Sequence, residues 1–227
     1  LNAIPASVSH LNLAVNNLAR KTSTEIIQIL AAIPATVTSL NLTANNLERK
    51  TAAELREILA AIPASVKTLK LGHNGLWNFT HKELAQAFAM LPATVTSLDL
   101  SENGIKSANL VQVLTAISST VTHLNISQKN LENTWHVLGD TLDPPNETND
   151  EIAQIFAAIP EGVRILDYRD VFYGDKSLTQ FLPALEMLPK HVTTLCLDLN
   201  QLSNLNNLDI LFGLLSSSVT TIIINKK

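Results

Sequence analysis

The sequence predicts an α/β solenoid, with a parallel sheet on the concave face and helices on the convex face, and three observations predict it. The phrase Val-x-x-Leu-x-Leu-x-x-Asn-x-Leu opens at Val8, Val37, Val66 and Val95, in successive steps of 29 residues, a period that marks stacked supersecondary units. Inside each unit the apolar period changes from two to about 3.6, the signature of a strand followed by a helix. Looser copies from Val121, Val163, Val192 and Val219 carry the pattern onward, so about eight units fill residues 1–227 and leave no room for a separate catalytic domain.

The strand comes first in each unit. Leu11 and Leu13 point into the core, while His10, Asn12 and Ala14 point to the concave side, and each strand must pair in parallel with its equivalents. The Asn at the ninth position (Asn16, Asn45, Asn74, Asn103 and Asn200) sits where the strand turns away, and its amide can satisfy backbone groups of the turn and of the next unit. Lys129 and Val171 hold that position in units five and six, which predicts an interrupted ladder.

The helix follows. Ile26, Ile29, Leu30 and Ile33 gather on one stripe, as do Leu55, Ile58, Leu59 and Ile62; Leu84, Ala87, Phe88 and Leu91; Leu110, Val113, Leu114 and Ile117; and Ile152, Ile155, Phe156 and Ile159. Capping boxes precede the stripes at Thr22-x-x-Glu25, Thr51-x-x-Glu54, Thr80-x-x-Glu83, Thr148-x-x-Glu151 and Ser177-x-x-Gln180. Pro34, Pro63, Pro92, Pro160 and Pro189 are expected to close the helices, because proline cannot continue their hydrogen bonding.

Departures from the period are informative. From Val121 to Val163 the step is 42, and the surplus falls in a loop insertion at 132–150 that holds Trp135, His136 and Asp143-Pro144-Pro145. Units four and seven are shorter, at 26 and 27 residues, and unit six carries Tyr168, Arg169, Asp170, Phe172 and Tyr173 in place of the usual small polar and leucine pattern. The chain opens and closes inside a repeat, so a fragment of a longer chain is expected.

Bulk properties narrow the function classes. Net charge is −4 with a pI of about 5.8, and the Lys and Arg residues are scattered, so no basic stripe favours nucleic acid. No run is long and apolar enough for a membrane span, and no signal segment opens the sequence. Cys196 is a single cysteine, which excludes an intramolecular disulfide and fits a reducing compartment. Four Asn-x-Ser/Thr sequons, at Asn41, Asn78, Asn125 and Asn146, read as incidental, because a glycan on Asn41 or Asn125 would block the concave sheet.

The repeated phrase resembles that of the leucine-rich-repeat family, and the 29-residue unit is similar to the ribonuclease-inhibitor-like class, across the whole chain. The near-identical stretches Ala32–Leu42 and Leu91–Leu100 resemble the repeats of leucine-rich-repeat effectors that intracellular bacteria of the Legionella type inject into host cells. That resemblance implies a horseshoe-shaped protein–protein interaction scaffold, a virulence effector secreted by a specialised system into host cytoplasm, with a host protein as partner. It leaves two alternatives open: a regulator of a small GTPase, with Arg169 or a basic group near the insertion acting on nucleotide phosphates, and the substrate-targeting arm of a larger enzyme such as a ubiquitin ligase.

No catalytic, metal or cofactor site is expected. His10 and His123 share a concave column but stand four strands apart, about 19 Å at roughly 4.8 Å per strand, and the other His spacings define no coordination set. Cys196, at an outward strand position where it could be partly exposed, has no obvious partner to activate it. Trp77 reads either as packing against the neighbouring unit or as a surface anchor. In the concave columns Asp167, Arg169 and Asp198 stand out among small residues, either as a solvated ladder of ion pairs or as a binding patch. Together with Trp135 and Tyr173 they form the candidate partner-binding set, at units five to six, with Asp167 and Asp198 selecting a basic partner; burial is the expected fate of Tyr173 itself.

Overall fold

A computed structural model of the chain describes residues 4–127, 149–169, 184–198, 213, 215 and 217–225. Eight strands form one sheet in strictly sequential order: β1 (His10–Asn12), β2 (Ser39–Asn41), β3 (Thr68–Lys70), β4 (Ser97–Asp99), β5 (His123–Asn125), β6 (Ile165–Asp167), β7 (Thr194–Asp198) and β8 (Thr221–Asn225). Every neighbouring pair is parallel, and the register aligns equivalent residues, as in Leu11↔Leu40, Leu40↔Leu69 and Leu69↔Leu98. The shorter fourth unit and the 42-residue step keep this register too, with Leu98↔Leu124 and Leu124↔Leu166. The surplus residues therefore leave the sheet undisturbed.

Among the described residues five helices lie between the strands: α1 (Ser23–Ala31), α2 (Ala52–Ala60), α3 (His81–Phe88), α4 (Ser107–Ala116) and α5 (Asn149–Ala157). Thr22, Thr51 and Thr80 cap the first three, each hydroxyl accepting from the amide of the Glu three residues on while that carboxylate accepts from the threonine amide. The Thr148 and Ser177 boxes lie outside the described residues. Asn149 and Asp150, assigned to the insertion from sequence, open α5 instead, because the first helical turn of the unit begins there.

The prolines have a different task from the one expected. The helices end before the prolines, at Ala31, Ala60 and Phe88, and each proline carbonyl then accepts from the amide of the valine three residues on, at 2.9 Å for Pro34–Val37 and Pro63–Val66 and 3.0 Å for Pro92–Val95. That bond makes a turn which delivers the chain into the next strand. Ser118 does the same for Val121 in the unit that lacks proline, at 3.1 Å.

The core is one continuous stack of the stripe residues. Leu30, Val37, Leu40, Val66, Leu69, Leu84 and Val113 are fully buried, and so is Tyr168, which takes the second inward strand position of unit six. Its ring meets Phe156 of α5 edge to face at 5.1 Å, a favourable arrangement for aromatic quadrupoles. Ile29, Leu91 and Leu13 are half-buried.

Between strand and helix, units one to three insert a short turn of tight helix, Leu18–Arg20, Leu47–Arg49 and Leu76–Asn78, whose leucine is buried. The Asn ladder runs through this region. The Asn45 amide donates to Asn74 Oδ1 at 2.9 Å and the Asn74 amide to Asn103 Oδ1 at 2.8 Å. Asn74 Nδ2 then donates to the carbonyls of Leu42, in the preceding unit, and Leu71, in its own. Asn45, Asn74 and Asn103 are fully buried, whereas Asn16, in the outermost described coil, is exposed and turns back on the carbonyl of Ala14. Lys129, Val171 and Asn200 lie outside the described residues.

Candidate functional site

The concave face is built from the strand positions that point away from the helices. In its second column, Asn12, Asn41, Asp99 and Asn125 each accept, through Oδ1, the backbone amide two residues on: Ala14 and Thr43 at 2.9 Å, Ser101 and Ser127 at 3.0 Å. This side-chain turn bends the chain out of each strand. It also accounts for the sequons at Asn41 and Asn125, where Asn-x-Thr and Asn-x-Ser spell a turn acceptor followed by the small polar residue that ends the turn.

Asp167 holds the equivalent place in β6 and is engaged differently. Its Oδ1 accepts from Arg169 Nε at 2.7 Å and its Oδ2 from Nη2, a bidentate pair whose planar fork matches the carboxylate. Arg169 and Asp167 are thus brought together within one unit, and their opposite charges offset each other. Asp198 ends β7 opposite Asn225, and its side chain, like Trp135, Asp170 and Tyr173, lies outside the described residues.

A hollow of about 270 Å³ opens on the concave face across β3 to β7, with Leu98 and Leu124 at its floor and Lys70, Asp99, His123, Ile165, Asp167 and Cys196 among its walls. Lys70 is the one long cationic side chain in this stretch of the second column. Its sequence signal was the replacement of the Asn or Asp found at the neighbouring positions by Lys, which the sequence reading passed over.

Cys196 is buried, at 7% exposure, rather than partly exposed. The register sets it beside Asp167, whose side chain, engaged with Arg169, helps cover it. Burial raises the Cys196 pKa, and the charge of Asp167 adds to the rise against an opposing effect of Arg169. The thiol therefore stays protonated at neutral pH, the opposite of an activated nucleophile. His10 and His123 stand four strands apart through the register His10↔Ser39↔Thr68↔Ser97↔His123, and their Nδ1 atoms face Ser9 Oγ at 2.8 Å and Thr122 Oγ1 at 2.9 Å. Among the described residues no group of three His, Cys, Asp or Glu could hold a metal ion.

Trp77 packs against the neighbouring unit and stays partly exposed. The atoms of its side chain lie so close to Gly104 in the next unit that a Cβ there would sit 3.2 Å from Trp77 Cδ1, yet the residue remains 44% exposed. Among the described residues no helix is long and apolar enough to cross a membrane.

Comparison with solved structures gives a TM-score of 0.85 and 33% identity to the leucine-rich repeat-containing protein LegL7 from Legionella pneumophila, over 98% of this chain and 67% of that one. KGPDC from Streptococcus mutans matches only distantly, with a TM-score of 0.36 and 11% identity over 97% of this chain and 88% of that one. No family model and no curated protein matches the chain.

Proposed function

Because the chain belongs to the leucine-rich-repeat family, we propose that it is a non-enzymatic protein-interaction scaffold whose concave sheet and fifth-to-sixth-unit region hold a partner protein. The observation that carries this reading is the hollow across β3 to β7, which sets the polar side chains of Lys70, Asp99 and Asp167 beside the apolar Ile165, the combination that fixes orientation while excluding water. Trp135, Asp167, Arg169, Tyr173 and Asp198 remain the proposed contact set. Within it, Asp167 and Arg169 act as a preformed pair rather than as separate charges, so Asp198 carries more of any preference for a basic partner.

The similarity to the Legionella protein supports the finer proposal, an effector that works in host cytoplasm on a host protein. A regulator of GTP hydrolysis is the weaker reading, because the Arg169 guanidinium is already held by a carboxylate and would have to leave it to reach a phosphate.

The test is capture from host-cell lysate followed by titration of the recovered partner. A Trp135→Ala, Arg169→Ala double variant, with its circular dichroism unchanged, is expected to bind at least about tenfold more weakly, the loss of one hot-spot residue or more. Binding as tight as that of the parent protein would move the site elsewhere. Hydrolase or transferase turnover by the pure protein that Cys196→Ser abolishes would overturn the non-enzymatic reading.

A further inference from the structure

At the rim where each helix turns into the next strand, small hydroxyls join one coil to another. The residue before the strand-leading valine is Ser or Thr in six of the eight units. Thr94, Thr120 and Ser218 each donate from this position to the valine carbonyl of the preceding coil: Val66 at 3.2 Å, Val95 at 3.3 Å and Val192 at 3.3 Å. Unit six has Gly162 there, and unit seven has His191. The carbonyl that the unit-seven residue would use, that of Val163, already accepts from Arg164 Nη1 at 3.3 Å, which also donates to the Glu161 carbonyl at 2.7 Å. His191 Nε2 is enclosed and has no hydrogen-bond partner among the described residues.

The joint between these two coils thus sets a titratable ring, one nitrogen of which is shut off from water, near a cation held by the backbone. Coil six brings Arg164 and Glu161 to it, and the ring's own coil brings Lys190 and Glu186, both exposed. Coil eight has the uncharged Ser217 and Ser218 at the equivalent positions. With the ring neutral, Nε2 is an unpaired acceptor. A proton there adds a donor without an acceptor and a positive charge in the same enclosed place, which is a costlier burial. Desolvation, reinforced by the charge of Arg164, accordingly holds the ring below its ordinary pKa, and the Pro160 carbonyl and Glu161 oppose this without cancelling it.

We propose that His191 makes the joint between the sixth and seventh coils acid-sensitive: a proton on Nε2 loosens β7 from β6, and with it the Cys196 end of the concave hollow, while coils two to four keep their packing. The folded ring takes up its proton less readily than the unfolded chain does. The joint is therefore tightest above about pH 6.5 and loosens as pH falls below that. Loosening stays local because each coil of a solenoid touches only its neighbours, and the asparagines that tie the earlier coils together, Asn45, Asn74 and Asn103, do not titrate. The effect belongs to the stack itself and needs no partner on the concave face.

The experiment follows the reaction of Cys196, buried on β7 beside Asp167, with dithiodipyridine, a disulfide reagent that works in mild acid. The full chain is reacted between about pH 7.5 and about pH 5, and each rate is divided by that of the urea-unfolded chain at the same pH, which removes the intrinsic pH dependence of the thiol. The expected result is a relative rate that rises at least about threefold as pH falls through this range. In His191→Gln, and in His191→Thr, which restores the hydroxyl of the column, the relative rate is expected to stay flat. Amide exchange in β3, corrected for its own pH dependence, is expected to be unchanged over the same range. No rise in the parent protein, or a rise of the same size in both variants, would overturn the proposal. So would a loss of β3 protection with the same midpoint, because the whole stack and not one joint would then be opening.

Discussion

At the scale of single residues, the ladder asparagines and the buried leucines hold the stack while concave side chains leave it almost untouched. Asn74→Ala removes two donors and an acceptor from fully buried partners, and leaving buried polar groups unpaired costs about 1 to 3 kcal/mol. Leu98→Ala opens a cavity under β4, where the side chain is 1% exposed, and is expected to cost about 2 to 5 kcal/mol. Asn12→Ala, at an exposed position with one local hydrogen bond, should stay within about 0.5 kcal/mol of the parent. Urea unfolding of the three variants checks the ranking, and similar losses for Leu98→Ala and Asn12→Ala would contradict the register. Val15 is a contrasting case. This β-branched residue is 78% exposed and has a φ of 59°, a conformation that costs an L residue roughly 1 to 2 kcal/mol and that asparagine tolerates best. Val15→Asn should therefore raise stability by about 1 kcal/mol, read as a higher melting temperature.

At the scale of elements, the capping boxes and the helix-to-strand turns decide how each unit starts and stops. The Thr22, Thr51 and Thr80 amides and hydroxyls hold Glu25, Glu54 and Glu83 below the usual carboxylate range. A depressed folded-state pKa means that the unfolded chain binds more protons in this window, so stability is present above about pH 4.5 and falls as pH drops through the folded values. Thr51→Ala should cost about 1 kcal/mol at neutral pH and flatten that acid slope, measured by denaturant midpoints from pH 7 to pH 3. His191 adds a step at higher pH. Desolvation, reinforced by the charge of Arg164, pushes its pKa below the ordinary 6.5, so it stays neutral in the fold while the unfolded chain protonates. Stability then declines as pH falls from about 6.5 toward the folded value, and His191→Gln should remove that decline. Among the described glycines, Gly162 makes the closest approach to a neighbouring unit. A Cβ there would lie 1.7 Å from the Ser119 carbonyl oxygen, so Gly162→Ala must move the backbone and should cost about 3 kcal/mol or more.

At the scale of the whole molecule, each coil touches only its neighbours, and stability is a sum of unit and interface contributions rather than the property of one centre. Parallel pairing from β1 to β8 supplies the shared frame, and the fully buried residues form one cluster running through it. Amide hydrogen exchange is expected to show the highest protection in β3, whose two flanking coils both carry a buried ladder asparagine, Asn45 and Asn103, and lower protection in β1, where Leu11 and Leu13 are only half-buried. Uniform protection along the sheet would imply a globally cooperative unit instead.

The sequence alone determined the parallel sheet, its register, the three described capping boxes and the buried stripe, because each follows from a local period repeated until only one stacking satisfies all copies. It also determined which residues face the concave side, through alternation along each strand. Only the tertiary structure decided how those residues spend their hydrogen bonds and charges. Asp167 closes on Arg169, Cys196 is buried beside Asp167, Lys70 faces the hollow and Trp77 covers Gly104 while staying half-open. These outcomes depend on side-chain directions and on neighbours one whole coil away in sequence, a distance at which residue spacing fixes the position of a group but not the partner it chooses.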